Sequence, residues 1–216
     1  MLREFWRSTI GKKVVMAGTG LIGIGFVISH VVSNVTVFAG TKHVNDYAVL
    51  LRSFGPLLYL ARGVLIAAVI LHVVAAVQLI QRSRAARPVD YREREPQVST
   101  LAARTMKVGG FLLLAFIVFH IADLTWGIGH PDFVHLRPGE NMIAGLRRWP
   151  VALFYIVAMV SLGFHLYHGA WSSMRTIGAA RQSAHPLKRV VPLVLAILVA
   201  GGFASIPLAV LFGILR

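Results

Sequence analysis

Between Lys13 and Lys42 the chain reads VVMAGTGLIGIGFVISHVVSNVTVFAGT (residues 14–41), with no charged side chain. About 20 apolar residues at 1.5 Å each cross a hydrocarbon core of roughly 30 Å. This run is longer than that. Inside a bilayer every backbone polar group must bond within its own segment, so the run is expected to be a spanning helix. Four further runs follow from one charge to the next: between Arg62 and Arg82, with Gly55-Pro56 as an entry turn; from Lys107 to about Ile128, holding Asp123; residues 149–174; and residues 190–215. The expected helices are 13–40, 57–82, 103–128, 148–177 and 188–215. The chain 1–216 reads as one all-α integral membrane domain, a five-helix bundle.

Composition agrees. Hydrophobic residues make up 56% and charged ones 14%, against roughly 25% charged in a soluble domain. The formal charge of +14 could suggest nucleic acid if the charges formed one patch on a polar domain. They stand instead in short bands between apolar runs, which excludes a nucleic-acid module, a soluble enzyme and a disordered tail. Zero cysteines exclude thiolate-held iron–sulfur clusters and disulfides within the chain. Electron handling would have to rest on the nine histidines.

Orientation follows from the short loops, because the cytoplasmic side collects Lys and Arg. Of the 22 such residues, 15 lie before the first helix, between the second and third, and between the fourth and fifth. The chain is therefore expected in the cytoplasmic membrane with its N-terminus on the cytoplasmic side and its C-terminus outside. Trp126 and Trp149 fall at outer helix ends and Trp6 and Trp171 at inner ones, as interfacial anchors do. The first helix is too long for a signal-peptide core and no small-residue cleavage pattern follows it, so it is expected to stay.

His30, His72, His120, His165 and His168 lie inside the runs, where ionisable residues are rare and functional by default. His43, His130, His135 and His185 lie in loops and are read as solvated. A single membrane histidine is most simply an interhelical hydrogen bond, worth on the order of 0.6 kcal/mol. Their joint placement argues for more. His30 lies 17 residues beyond Lys13 and His120 lies 13 beyond Lys107, whereas His72 and His165 each lie 10 before Arg82 and Arg175. At 1.5 Å per residue the first two share an outer layer and the second two an inner one. Four helices give one histidine each, in two pairs at two depths. Two bis-histidine b-type haems stacked across a membrane need that arrangement. His168, three residues after His165, could equally be the fourth ligand, leaving the other ring, with Arg175, to meet a haem propionate.

Gly23, Ala68, Ala76, Gly109, Gly169 and Ser172 leave room beside these histidines, although small residues also serve plain helix packing. Zinc would want converging ligands with Cys or a carboxylate, and no His-x3-His pair is present. No nucleophile–base pair, phosphate loop or paired carboxylates occur. Gly18, Gly20, Gly23 and Gly25 sit inside a spanning helix and read as packing residues.

Phe164-His165-Leu166-Tyr167-His168-Gly169-Ala170-Trp171-Ser172-Ser173, with Thr176-Ile177-Gly178 after it, closely resembles the fourth-helix signature of the dihaem cytochrome b subunit of bacterial succinate dehydrogenases and fumarate reductases. Lys13, Met16-Ala17-Gly18-Thr19-Gly20-Leu21, His30, Asn34 and Phe38-Ala39-Gly40 are similar to that family's opening segment. The resemblance implies a membrane anchor for a flavoprotein and an iron–sulfur subunit, passing electrons to a quinone, with menaquinone expected. It implies that His72 and His165 hold the proximal haem b and His30 and His120 the distal one, and it prefers His165 to His168. It also implies a quinone site at the outer end, for which Asp123, Asp46 and Arg62 are the candidates. Ser161-Leu162-Gly163-Phe164 carries no acid, so the transmembrane proton route that some fumarate reductase anchors run through a glutamate there is not expected. The rivals are the dihaem anchor of another respiratory oxidoreductase, such as nitrate reductase, a haem-free helical anchor, and a transporter. The nitrate reductase type draws its ligands from two helices, and a transporter would want acids among the histidines. Assembly into an oligomer of the whole complex is open at this stage.

Overall fold

A computed structural model describes residues 2–86, 101–179 and 187–216, and every regular element among them is helical. The elements are α1 (Leu2–Arg7), α2 (Thr9–Val35), a 3-10 turn (Thr36–Ala39), α3 (Thr41–Ser53), α4 (Pro56–Ala85), α5 (Leu101–Leu124), α6 (Pro138–Arg147), α7 (Trp149–Thr176) and α8 (Leu187–Leu211). α2, α4, α5, α7 and α8 are long and apolar enough to cross a bilayer. The protein is a multi-pass membrane protein with five candidate helical spans. Its exposed side chains include Leu60, Val108, Phe111 and Leu198, each more than 60% exposed, a surface that lipid covers and water would not.

Local chemistry sets the helix ends. Ser8 caps α2, its Oγ accepting from the Gly11 amide at 2.8 Å, which satisfies one of the orphan donors of a helix start. Pro56 opens α4 and Pro138 opens α6, where a missing N–H costs nothing. α5 stops at Leu124, four residues short of the expected end, because Gly127 takes the left-handed conformation at φ 70° and turns the chain away. α8 stops at Leu211, ahead of Gly213 at φ 70°.

α7 is the hub, packing on α5, α8 and α2, while α2 also packs on α4 and α8. α4 leans on α2 alone among the spans with which it packs closely. At the chain-start end Arg82 ties α4 down, donating to the Arg7 carbonyl at 2.6 Å and to Thr9 Oγ1 at 3.3 Å. Lys12 is buried there, its ammonium donating to the Trp6 carbonyl and lying over the Trp6 ring.

The opposite end carries a cap that the spans do not announce. α3 and α6 lie in the two connections there and pack against each other. Asn45 joins them twice: its amide donates to Glu140 Oε2 at 2.7 Å and its carbonyl oxygen accepts from the Gly139 amide at 2.9 Å. Thr41 donates to Glu140 Oε1 at 3.2 Å. A Cβ on Gly139 would stand 2.7 Å from the Thr41 carbonyl oxygen, so only glycine allows this approach. Beneath the cap, Val37, Val44, Met142, Ile143 and Leu146 join Phe116, Ala152, Tyr155 and Ala158 in one buried cluster.

Glu140 gives this cap a pH dependence. Burial pushes its carboxyl up, but hydrogen bonds from Asn45 and Thr41 and the Arg137 guanidinium hold it, on balance, below its ordinary value of 4.5. A depressed carboxylate stabilises fully above its unfolded value, and that stability is lost as pH falls through the lower folded value. The side chain is 42% exposed, so screening leaves about 1 kcal/mol. Glu140→Gln is expected to lower the melting temperature in detergent at pH 7 and to flatten its decline below pH 4.5.

Candidate functional site: two histidine pairs

The four span histidines meet two by two. On the chain-start side, His72 of α4 and His165 of α7 have ring centroids 6.1 Å apart at 53°. Toward the cap, His30 of α2 and His120 of α5 have centroids 5.9 Å apart at 88°. Yet α4 does not pack closely on α7, nor α2 on α5. Each pair reaches across a gap between helix backbones. Two imidazoles that shared one metal ion, each bonded at about 2 Å with about 1 Å more from nitrogen to ring centre, would have centroids no more than about 6 Å apart. Both separations fit that figure. His168 is half-buried on the same helix as His165, and His165 is the ring that faces His72.

Neighbours hold the rings. Thr19 Oγ1 donates to the Val15 carbonyl at 2.7 Å and lies 3.1 Å from His72 Nδ1. Its proton is spent, so it accepts from Nδ1–H and leaves the Nε2 lone pair for a ligand, which is how a ligating imidazole is fixed. The ring packs against α2 at Gly20, where a Cβ would stand in ordinary contact, 3.5 Å from His72 Cε1. His120 Nδ1 lies 3.0 Å from the Tyr155 hydroxyl. His30 differs: the Asn34 amide nitrogen, which donates to the His30 carbonyl at 2.7 Å, also faces His30 Nδ1 at 3.2 Å. Ligation through His30 Nε2 needs the proton on Nδ1, so the Asn34 amide would have to turn. His165 Nδ1 is buried without a partner. Phe26, Phe203 and Phe116 stand within 5.6 Å of the His30 and His120 rings, centre to centre, and keep water from that pair.

The small residues divide. A Cβ on Gly23 or Gly169 would meet nothing within 4 Å, so those faces are open. One on Gly109 would stand 2.7 Å from Ser161 Oγ, and Ser161 donates to the Gly109 carbonyl at 3.2 Å. Gly109 therefore serves α5–α7 packing. Beside it a cleft of about 240 Å³ between α5 and α7 reaches His165.

The polar candidates scatter. Asp123 is 1% exposed, far from the hydrated helix end that a boundary position suggests. Arg148 Nη2 donates to its Oδ1 at 2.6 Å, and Arg148 also donates to the Gly129 carbonyl at 2.8 Å. Asp46 pairs with Lys42 on the exposed face of α3, and Arg62 lies over the Tyr59 ring on exposed α4. Arg175 is exposed in the last turn of α7. His130, read as a solvated loop residue, is 5% exposed, because α6 folds over it and the Asn141 carbonyl accepts from its Nε2 at 2.9 Å. His135 is an exposed loop residue; His43, read as a loop residue, is exposed too but lies on the first turn of α3; His185 lies outside the described residues.

Tyr155 and Arg148 were not singled out by the sequence, in which Thr19 stood only within the opening motif and His130 only as a solvated loop residue. Tyr155 was within reach of it: ten residues before His165 on one helix, it sits about 15 Å nearer the cap and so in the layer of His120. Compared with protein-family models, curated proteins and solved structures, the chain matches none.

Proposed function

We propose that this chain is the membrane anchor and electron-transfer subunit of a succinate:quinone oxidoreductase in the cytoplasmic membrane. The observation that carries the reading is the pair of imidazole pairs, each 5.9 to 6.1 Å between centroids and each bridging helices that do not pack closely on each other. Among the described residues no three His, Cys, Asp or Glu side chains converge on a point. His72 with His165, and His30 with His120, would each hold a haem, a group that carries its own ring of nitrogen donors and so asks no third side chain of the protein. The resemblance in the α7 signature points the same way and supplies the partners: a flavoprotein that oxidises succinate and an iron–sulfur protein seated on the basic inner face.

Haem b, when bound, supplies one-electron redox chemistry at two depths of the bilayer. The chain does the rest. His72 and His165 bind at the inner depth, with Thr19 fixing the His72 tautomer. His30 and His120 bind at the outer depth inside a ring of phenylalanines. The basic inner face seats the iron–sulfur electron donor, and the cap end meets menaquinone near the outer surface. An electron crossing the full membrane is worked on by about 2.3 kcal/mol per 100 mV, which ties the reaction to the membrane potential.

The test is a dithionite-reduced minus oxidised spectrum of the purified full chain with a haem assay. Two b-type haems per chain are expected. No b-type band would leave a haem-free anchor or a transporter, and one haem per chain would remove the two-layer assignment.

A further inference from the structure

The outer histidine pair is held unevenly. The Asn34 amide nitrogen that faces His30 Nδ1 at 3.2 Å is a donor, and it is already bound to the His30 carbonyl at 2.7 Å, so it offers a ring N–H nothing. His120 is better placed. Phe116 lies 5.6 Å from its ring at 34°, the Tyr155 ring lies 5.9 Å away at 55°, and the Tyr155 hydroxyl is 3.0 Å from its Nδ1. Tyr155 is itself fixed. It is buried in α7, and its ring stands edge-on to Phe116 with 4.8 Å between centres at 86°. Among the described residues His120 is the one hydrogen-bond partner of that hydroxyl. A phenol hydroxyl can donate or accept, but an imidazole that binds through Nε2 carries its proton on Nδ1 and needs an acceptor there. The Tyr155 oxygen stands where that acceptor is required.

We propose that Tyr155 is the positioning residue of the outer haem site: it fixes the tautomer and tilt of His120 and, through that ring, sets the potential of the haem that His30 and His120 would hold. This rests on the reading of the chain as a dihaem anchor, and adds to it a residue that tunes one haem and not the other. The direction follows from charge. By accepting the Nδ1 proton, Tyr155 makes the His120 ring a more basic ligand, and a more basic ligand favours the oxidised, more positive state. Removing the phenol oxygen therefore raises the potential. His72 has its own acceptor in Thr19, supplied by α2 and not by α7, so the inner haem answers to a different residue.

Tyr155→Phe keeps the ring and its packing on Phe116 and removes only the oxygen. The test is a redox titration of the purified full chain, followed optically, with haem supplied in excess so that the outer site stays filled; the outer component is the one that His120→Ala abolishes. In Tyr155→Phe its reduction equilibrium is expected to become about tenfold more favourable, which is about 59 mV for one electron, with the inner component unmoved. On dilution without added haem, the outer haem should leave about 10–100-fold more readily. Asn34→Leu, on the other side of the pair, removes no acceptor and should move the outer component by less than about twofold, or about 18 mV. An outer component within twofold of the unaltered chain in Tyr155→Phe, an equal shift of the inner component, or an equal shift in Asn34→Leu would overturn the proposal. An outer site that stays empty in Tyr155→Phe even with excess haem would make Tyr155 a packing residue and overturn it too. These outcomes leave the dihaem reading standing, whereas an unaltered chain that takes up no haem removes that reading and the tuning role with it.

Discussion

Alanine at His30 or His120 is expected to abolish one b-type haem, and alanine at His72 or His165 to abolish the other. Both members of a pair should remove the same component of a potentiometric titration, because on the proposed reading one haem would be held by both histidines of that pair and would be lost with either. His168→Ala should leave both haems, since the His165 ring is the one 6.1 Å from His72. Thr19→Val is the informative companion. It is close in size, keeps every ring in place and removes the acceptor that holds the His72 Nδ1 proton. Loss of such an outer partner costs about 10–100-fold in affinity, so the inner haem should be lost on dilution while the outer one stays. If alanine at His30 and at His72 removed the same component, the pairing by depth would be wrong.

The pairing was legible before any coordinates because helix rise is constant and charges mark where each helix leaves the bilayer. Counting from Lys13, Arg82, Lys107 and Arg175 measures depth directly. The spans were legible for the same reason: their ends are set by charge, proline and glycine, all local. The cap was not. Val44, Met142, Ile143 and Leu146 are buried because α3 and α6 fold onto each other and α6 onto the span ends, and the polar centre of that meeting, Asn45 with Glu140, looks like any hydrophilic loop. His130 was misread through the same gap, since nothing near it in the chain says that α6 will cover it. Arg148 lies 25 residues from Asp123 with a loop and a helix between them, and spacing carries no signal over such a path.

The Asp123–Arg148 pair should therefore be the largest single contributor to stability that the sequence concealed. The oxygen–nitrogen distance is 2.6 Å, with 2% of the Asp123 side chain and 30% of the Arg148 side chain exposed. Removing one member of a buried pair strands the other charge, at about 3–5 kcal/mol. Arg148→Met should cost that much, because it also frees the Gly129 carbonyl that caps the turn after α5. Asp123→Asn should cost less, since the amide oxygen can still accept from Arg148. The double variant should be more stable than Arg148→Met alone, because a neutral amide has no charge left to strand. Unfolding in detergent with a graded denaturant measures all three. A double variant that loses the sum of the two single losses would mean that the two side chains act independently, and that the turn, not the charge pair, is what Arg148 holds.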